Sequence, residues 1–329
     1  MKKLLQCALI FFCLPVFAQD YLNNSFVAFT IPEKDLLPEN IAFNPVDNSF
    51  YIGSTRKGKV IKMGANGNQS TFIEGSTWGL WMIIGMKVDA DRNALWVCSS
   101  GGDNLINYTW KDDKEGRPAG IFKFDLTSGK LLQKFVLDQR GEVHFFNDLV
   151  VARNGDVYAT HMFGEHAIYK ISVGSDKLEK FVQNDLIKYP NGITLADNQS
   201  ILFVAHSDGL ARIDIKDKKV TQLSVPEGIN VARQASIDGL YYYKWSLIGI
   251  QPDVKAVTRY YLNDAGDGIK EAQVLEYNHP MLDHPTTGVM RGRDFYYIAN
   301  SQFEKFNKDG TLFPNDKLYE VVVLKLNME

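Results

Sequence analysis

Four side chains that end in carboxylate or amide oxygens precede short apolar segments along the chain: Glu39, Asn147, Asn191 and Asp238. Two carboxylates and two amides, without sulfur or imidazole, form a ligand set for one hard divalent cation. Ca²⁺ is favoured because it accepts roughly six to eight oxygens in loose geometry, and Zn²⁺, Mg²⁺ and Mn²⁺ are further candidates. The alternative is that Asn and Asp begin strands because they suit turns, which explains single positions better than four matched ones.

The elements that must position these residues are short strands. After residue 19, segments rich in aromatic and β-branched residues alternate with polar turns, as in antiparallel hairpins. The segment openings recur 45, 63, 44, 47 and 49 residues apart, at Glu39, Ile84, Asn147, Asn191, Asp238 and Thr287. A repeat of about 40–50 residues with several strands predicts an all-β fold, a six-bladed β-propeller with four-stranded blades. The alternative is a β-sandwich or two small β-domains.

In a propeller, the innermost strand of every blade begins at the same face and lines the axis. The six openings should therefore meet around the mouth of the central channel. Residues 26–29 are expected to complete the last blade and close the ring. The 63-residue unit contains a polar, turn-rich insertion, residues 101–118, which we interpret as a surface loop.

Antiparallel return strands should bring a second set of residues to the same face. Its members are Ser54, Ser99, His161, His206, Ile250 and Asn300. His144 and His284 lie three residues before Asn147 and Thr287, on loops of that face. His161, His284 and Asn300, with Asn147, are candidates for substrate binding, although each histidine singly also suits an ordinary hydrogen-bonding role. A wall for an apolar substrate, or else core packing, is expected from four aromatic residues: Trp78, Trp81, Phe145 and Phe146.

The first 18 residues have the pattern of a secretory signal peptide, with two lysines, an apolar run and a cleavage position after Ala18. A retained anchor is the alternative, but the apolar run is shorter than the roughly 20 residues of a spanning helix. We therefore predict a secreted or periplasmic protein, with residues 19–329 forming one propeller domain and no membrane association after cleavage. Cys98 is the one cysteine beyond the signal, so no internal disulfide is expected.

A net charge of −3 without a basic cluster argues against nucleic acid as a partner, because nucleic-acid binding requires neutralisation of phosphates. A small-molecule substrate is expected instead. Nothing in the sequence specifies an oligomeric state.

The segments around the four oxygen-bearing residues resemble the gluconolactonase and regucalcin (senescence marker protein) family, with paraoxonases and strictosidine synthases as more distant relatives. The resembling segments are residues 38–43, 146–151, 189–193, 202–205 and 237–239. The resemblance implies a six-bladed propeller with a catalytic divalent metal, whose ligands fall on Glu39, Asn147, Asn191 and Asp238. In gluconolactonases the first Asn is nearer to the substrate, so Asn147 suits either role. Phe145 stands where the gluconolactonase pattern has an Arg, a departure that disfavours glucono-lactone as the substrate.

The sequence thus leads to two main hypotheses. The first is a metal-dependent hydrolase of a lactone or ester, with Asp238 as the base that the resemblance implies and with His144 or His206 as alternatives better matched to neutral pH. The second is a non-enzymatic periplasmic propeller for ligand binding or interaction, in which Ca²⁺ holds the blades together. A third, strictosidine-synthase-like condensation, lacks any feature that calls for it.

Overall fold

The computed structural model describes residues 21–108 and 116–329. The predicted signal peptide lies outside these residues. The described chain forms six four-stranded antiparallel sheets arranged as the blades of a β-propeller, which confirms the predicted fold.

The chain enters the propeller through β1 (Phe26–Ile31), the outermost strand of the last blade. Blade 1 contains β2 (Pro38–Asn44), β3 (Ser49–Ser54), β4 (Val60–Met63) and β5 (Gln69–Ile73). Blade 2 contains β6 (Met82–Asp89), β7 (Ala94–Ser100), β8 (Ala119–Asp125) and β9 (Leu131–Leu137). Blade 3 contains β10 (Phe145–Val151), β11 (Val157–Phe163), β12 (Ala167–Ile171) and β13 (Glu179–Gln183).

Blade 4 contains β14 (Ile193–Leu195), β15 (Ile201–His206), β16 (Gly209–Asp214) and β17 (Val220–Gln222). Blade 5 contains β18 (Leu240–Tyr242), β19 (Ser246–Gln251), β20 (Ala256–Leu262) and β21 (Ile269–Tyr277). Blade 6 contains β22 (Gly288–Arg291), β23 (Asp294–Ile298), β24 (Val321–Asn327) and β1. Short 3₁₀ turns occur at Lys34–Leu36, Thr77–Gly79, Ala90–Arg92, Arg233–Ala235 and Asn315–Lys317.

Closure of the ring joins the two ends of the chain. β1 pairs antiparallel with β24, from Phe26 opposite Lys325 to Ile31 opposite Val321. Blade 6 is therefore built from the first strand and the last three strands, as the sequence predicted.

The core of the molecule lies between the blades. Six clusters of buried apolar side chains each combine residues of two neighbouring blades. In one of them, Ile121 of blade 2 and Phe146 of blade 3 are buried together. Because side chains alternate between the faces of a strand, each sheet contributes to the clusters on both of its sides.

Glycines allow the innermost strands to approach one another. A Cβ on Gly192 of blade 4 would lie 2.4 Å from the carbonyl oxygen of Asp238 and 2.5 Å from the nitrogen of Leu240, both on the chain entering blade 5. A Cβ on Gly85 of blade 2 would lie 2.5 Å from the carbonyl oxygen of Asn147 in blade 3. The absence of a side chain therefore brings the starts of neighbouring blades together.

The insertion between β7 and β8 packs on the propeller at both of its described ends. The Ile106 amide donates to the Arg56 carbonyl of the blade 1 chain at 2.9 Å, and the Arg117 amide donates to Glu142 before blade 3 at 2.8 Å. The sequence suggested a surface loop, and the structure adds that its described ends are hydrogen-bonded to the chain of blades 1 and 3. Within the described ranges, no helix is long and apolar enough to cross a membrane.

Candidate functional site

One cavity, here called the central cavity, lies where the innermost strands of the blades begin. Its volume is about 480 Å³, within the usual range for sites of small molecules. Five of the six predicted openings line it: Glu39, Ile84, Asn147, Asn191 and Asp238. The sixth, Thr287, is buried beside them and donates its hydroxyl to the Glu39 carbonyl at 2.7 Å. The other lining residues are Thr55, Met82, Gly102, Asp103, Asn104, Arg117, Phe145, Met162, Phe163, His284 and Phe303.

Hydrogen bonds between blades fix the positions of the polar residues. Besides Thr287, the Thr286 hydroxyl of blade 6 donates to the Glu39 carbonyl of blade 1 at 2.8 Å. The Thr160 hydroxyl of blade 3 donates to the Asn191 carbonyl of blade 4 at 2.8 Å and accepts from the Asp148 amide at 3.0 Å. The oxygen-bearing residues that line the cavity are here called the cavity floor. Their backbone is therefore held by hydrogen bonds from adjacent blades.

Two buried carboxyl groups share this floor. Glu39 is 7% exposed and Asp238 is 9% exposed. Burial, with the charges of Asp238 and Asp148, raises the pKa of Glu39 well above its usual value. Burial also raises the pKa of Asp238 to about 7, with the charges of Asp148 and Asp253 acting in the same direction and a hydrogen bond from Asn191 opposing them. Two such groups are poorly accommodated as anions unless a positive charge lies between them.

The amide and carboxylate oxygens of the floor fit a hard cation. The Oδ1 atom of Asn191 and the Oδ2 atom of Asp148 are buried and have no hydrogen-bond partner among the described residues. Buried polar atoms are normally satisfied, so unpartnered oxygens beside two carboxyls suit an ion or water. No three His, Cys, Asp or Glu side chains cluster as a metal site within residues 21–108 and 116–329, so a cation here requires the amide oxygens as well.

Asp148 is the buried acid that follows Asn147 in β10. It is 1% exposed, and its Oδ1 lies 3.2 Å from the Nζ of Lys87 on β6. The Lys87 ammonium of blade 2 thus balances part of the charge of Asp148, which still acts on Glu39 and Asp238. Glu39 and Asp238 have no salt bridge within 4 Å in the described chain, unlike Asp148.

All six histidines lie in the described part of the chain, and one of them, His284, lines the central cavity. Its backbone has a φ of 61°, in the left-handed region that non-glycine residues seldom occupy. Its ring lies 5.4 Å from the ring of Phe303, measured between centroids. Burial lowers the pKa of His284, which therefore favours the neutral imidazole.

His144 and His161 form a buried pair behind the cavity. His161 Nδ1 donates to the Glu165 carbonyl at 2.6 Å, and its Nε2 lies 3.1 Å from His144 Nδ1. Burial lowers the pKa of His161 to about 4, so its ring is neutral. Neither histidine is among the residues that line the cavity. The His161 ring packs on Phe146, which belongs to the core between blades 2 and 3.

His206 and Asn300 are also placed away from the cavity. The His206 imidazole donates to Gln222 at 3.0 Å and accepts from the Asp208 amide at 3.3 Å. The Asn300 side chain bridges the Glu320 carbonyl and the Val322 amide, at 2.8 and 2.6 Å, so it supports the backbone of blade 6. Neither side chain lines the cavity. The catalytic role expected of His206 and the binding role expected of Asn300 therefore stay predictions.

None of the six residues of the second set, Ser54, Ser99, His161, His206, Ile250 and Asn300, lines the cavity, and at two of these positions the next residue does so instead. Thr55 and Met162 line it, whereas the preceding residues Ser54 and His161 are fully buried between blades. Successive side chains of a strand point to opposite faces, so an error of one residue selects the wrong face.

The four aromatic residues that were expected either to form a wall for the substrate or to pack in the core divide between these roles. Phe145 lines the cavity, whereas Phe146 is buried in the core between blades 2 and 3. Trp81 packs against the core, and Trp78 is 51% exposed in a groove beside Phe72. Sequence reasoning missed Met82, Met162, Phe163 and Phe303, which carry no motif and are brought in by strand ends and a loop.

The comparisons with known proteins concern the fold. No protein-family model matches the chain, and a search of curated protein sequences finds no match. Solved structures do match. A gluconolactonase of Xanthomonas campestris superposes with a TM-score of 0.60 at 15% identity, over 94% of this chain and 91% of that one.

Two further structures show the range of proteins that share this fold. A calcium-binding regucalcin of Agrobacterium tumefaciens has a TM-score of 0.58 at 14% identity, over 91% of this chain and 93% of its own. The major allergen of Malassezia sympodialis has a TM-score of 0.67 at 13% identity, over 92% and 96%. The chain therefore has the propeller fold found in gluconolactonases and regucalcin, as the motifs in its sequence indicated.

Proposed function

We propose that the protein is a hydrolase of a small lactone or ester that uses one divalent cation, Ca²⁺, in the central cavity. Glu39, Asn191 and Asp238 would hold the cation, and Asn147 would serve as a fourth ligand or contact the substrate. A bound cation supplies Lewis-acid polarisation of the carbonyl oxygen.

One observation carries this proposal. Oxygen-bearing side chains from four different blades line one cavity, and among them are two carboxyl groups with raised pKa values and a buried, unpartnered Asn191 oxygen. This arrangement is costly in a protein that binds no cation, because desolvation and like charge both oppose ionisation.

The other residues of the cavity would complete the reaction. His284, neutral at pH 7, is suited to accept a proton from the attacking water. Asn147, whose Nδ2 lies 3.5 Å from the sulfur of Met162, would orient the substrate carbonyl. The protein would be secreted or periplasmic, as the signal-peptide pattern of its first 18 residues predicts.

The experiment is a hydrolysis assay on a panel of lactones and aryl esters, with Ca²⁺ and after chelation, for the wild type and for Asn191→Ala and Asp238→Ala. Each variant should bind Ca²⁺ at least about 100-fold more weakly, because even second-shell changes weaken metal sites about 10- to 100-fold. Turnover should fall in parallel. Asp264→Ala is the control, since this exposed acid of blade 5 does not line the cavity, and its Ca²⁺ binding and turnover should match the wild type.

Two results would contradict the proposal. If the variants keep full turnover after Ca²⁺ binding is lost, the cation is not part of the reaction. If Ca²⁺ raises the melting temperature but nothing in the panel is hydrolysed, the non-enzymatic binding propeller is favoured, because a ligand of the folded state stabilises it without catalysis.

A further inference from the structure

The central cavity has two unlike sides. The oxygen-bearing residues occupy the starts of blades 1, 3, 4 and 5. A set of apolar side chains, here called the apolar wall, comes from blades 2 and 3: Met82, Ile84, Phe145, Met162 and Phe163. Phe303 of blade 6 adds another ring to the lining, and the insertion adds the polar residues Asp103, Asn104 and Arg117. A substrate whose reacting group lies over the polar floor can therefore place the rest of its body against this wall.

The apolar wall is fixed by the fold. Phe145 and Phe163 face each other across β10 and β11 as register partners, and their ring centroids are 5.1 Å apart at an angle of 66°. This edge-to-face arrangement is a favourable one for aromatic pairs. Met82 and Ile84 are only 5% and 3% exposed, so their side chains are already packed. Apolar surface is thus presented without a rearrangement on binding.

The wall discriminates between classes of lactone. Ring hydroxyls of a sugar lactone that lie against Phe163 and Met162 would lose water without gaining a good partner from either side chain, and an unsatisfied polar group is strongly unfavourable. An alkyl or aryl body would instead bury apolar surface there. We infer that the substrate is a lactone or ester with an apolar alkyl or aryl body rather than a sugar lactone. The assignment of a lactone or ester bond depends on the proposed function. The apolar character of the ligand depends only on the residues of the wall.

Kinetics on a homologous series test this inference. The substrates are δ-lactones with linear alkyl substituents of increasing length, together with D-glucono-δ-lactone. The value of kcat/KM should rise about fourfold for each added methylene until the wall is covered, and D-glucono-δ-lactone should be the poorest substrate. Phe163→Ala should reduce the advantage of the longest chain about tenfold or more. Phe181→Ala should leave this advantage unchanged, because Phe181 is a half-buried phenylalanine of the same blade that packs on Tyr158, outside the cavity.

A binding measurement separates this inference from the proposed hydrolysis. Calorimetry with alkyl δ-lactams, which resist hydrolysis, should show affinity that increases with chain length and decreases in Phe163→Ala. Such binding without turnover of any lactone or aryl ester would support the apolar ligand and overturn the hydrolase. Turnover with a preference for D-glucono-δ-lactone, or with no dependence on chain length, would overturn the apolar ligand and leave the hydrolase standing.

Discussion

His284 combines three properties at the scale of a single residue. It lines the central cavity, it adopts a left-handed backbone conformation, and burial keeps its imidazole neutral near pH 7. Fifteen other described non-glycine residues share this backbone conformation, and none of them lines the cavity, so its position in the cavity is what distinguishes His284. The other five histidines bond to protein groups or pack away from the cavity.

We predict that His284→Gln lowers kcat by about 100- to 10,000-fold while Ca²⁺ binding is retained, since loss of a general base has effects of this size. A base must be neutral to act, and the pKa of His284 is lowered from its usual 6.5. The wild-type rate should therefore fall as the pH drops below about 6.5, and this acid limb should be absent from the residual activity of the variant. The pH dependence of kcat for both proteins is the measurement.

The same change at His206 provides the comparison. His206→Gln removes a ring that bonds Gln222 and does not line the cavity, so kcat should stay within a few-fold of the wild type. A large loss in His206→Gln with little loss in His284→Gln would restore the assignment that the sequence favoured.

The polar floor was easier to predict than its surroundings. Glu39, Asn147, Asn191 and Asp238 occupy one register position of a repeat, so their meeting follows from ring symmetry. His144 carries no such constraint, because it lies on a connecting segment whose path depends on the neighbouring insertion through its bond to the Arg117 carbonyl.

At the scale of the element, the innermost strands depend on glycines that follow the floor residues. A side chain at Gly192 would overlap the backbone of the next blade, at Asp238 and Leu240. Backbone atoms cannot move aside as a flexible side chain can, so blades 4 and 5 would have to separate.

Gly192→Ala should therefore lower the free energy of unfolding by about 1–3 kcal/mol, the usual penalty for overpacking. It should also weaken Ca²⁺ binding, because it displaces Asp238 from Asn191. Urea unfolding followed with and without Ca²⁺ gives both quantities.

Gly64→Ala is the control for this change. A Cβ at Gly64 would meet only the side-chain oxygen of Asn66 at 3.0 Å and the Asn68 carbonyl at 3.5 Å. Its stability should change little, and its Ca²⁺ response should match the wild type. Equal behaviour of the two variants would show that close approach of the blades does not position the floor.

The strands themselves were largely predictable, since alternating apolar segments and polar turns specify hairpins. The role of the insertion was not. Residues 101–118 have the composition of a solvent-exposed loop, yet Leu105 is 6% exposed within the core between blades 2 and 3, and Asp103 and Asn104 line the cavity. Contacts with chain segments far away in sequence decide where such a loop lies.

At the scale of the whole molecule, ring closure is what creates the site. No blade contains more than one of the residues Glu39, Asn147, Asn191 and Asp238, and only the pairing of β1 with β24 completes the circle that brings them together. The six interfaces between blades are apolar and tightly packed, so the ring is a stiff frame. Sequence periodicity predicted this architecture because every repeat presents its first strand to the axis.

The proposed function requires one cation at the centre of this frame. Its most direct test is anomalous diffraction from crystals of the protein grown with Tb³⁺, which replaces Ca²⁺ at oxygen sites. We predict one dominant peak in the central cavity, with oxygens of Glu39, Asn191 and Asp238 at about 2.3–2.6 Å. A cavity without a peak, or a peak found only at the surface of the molecule, would contradict the account.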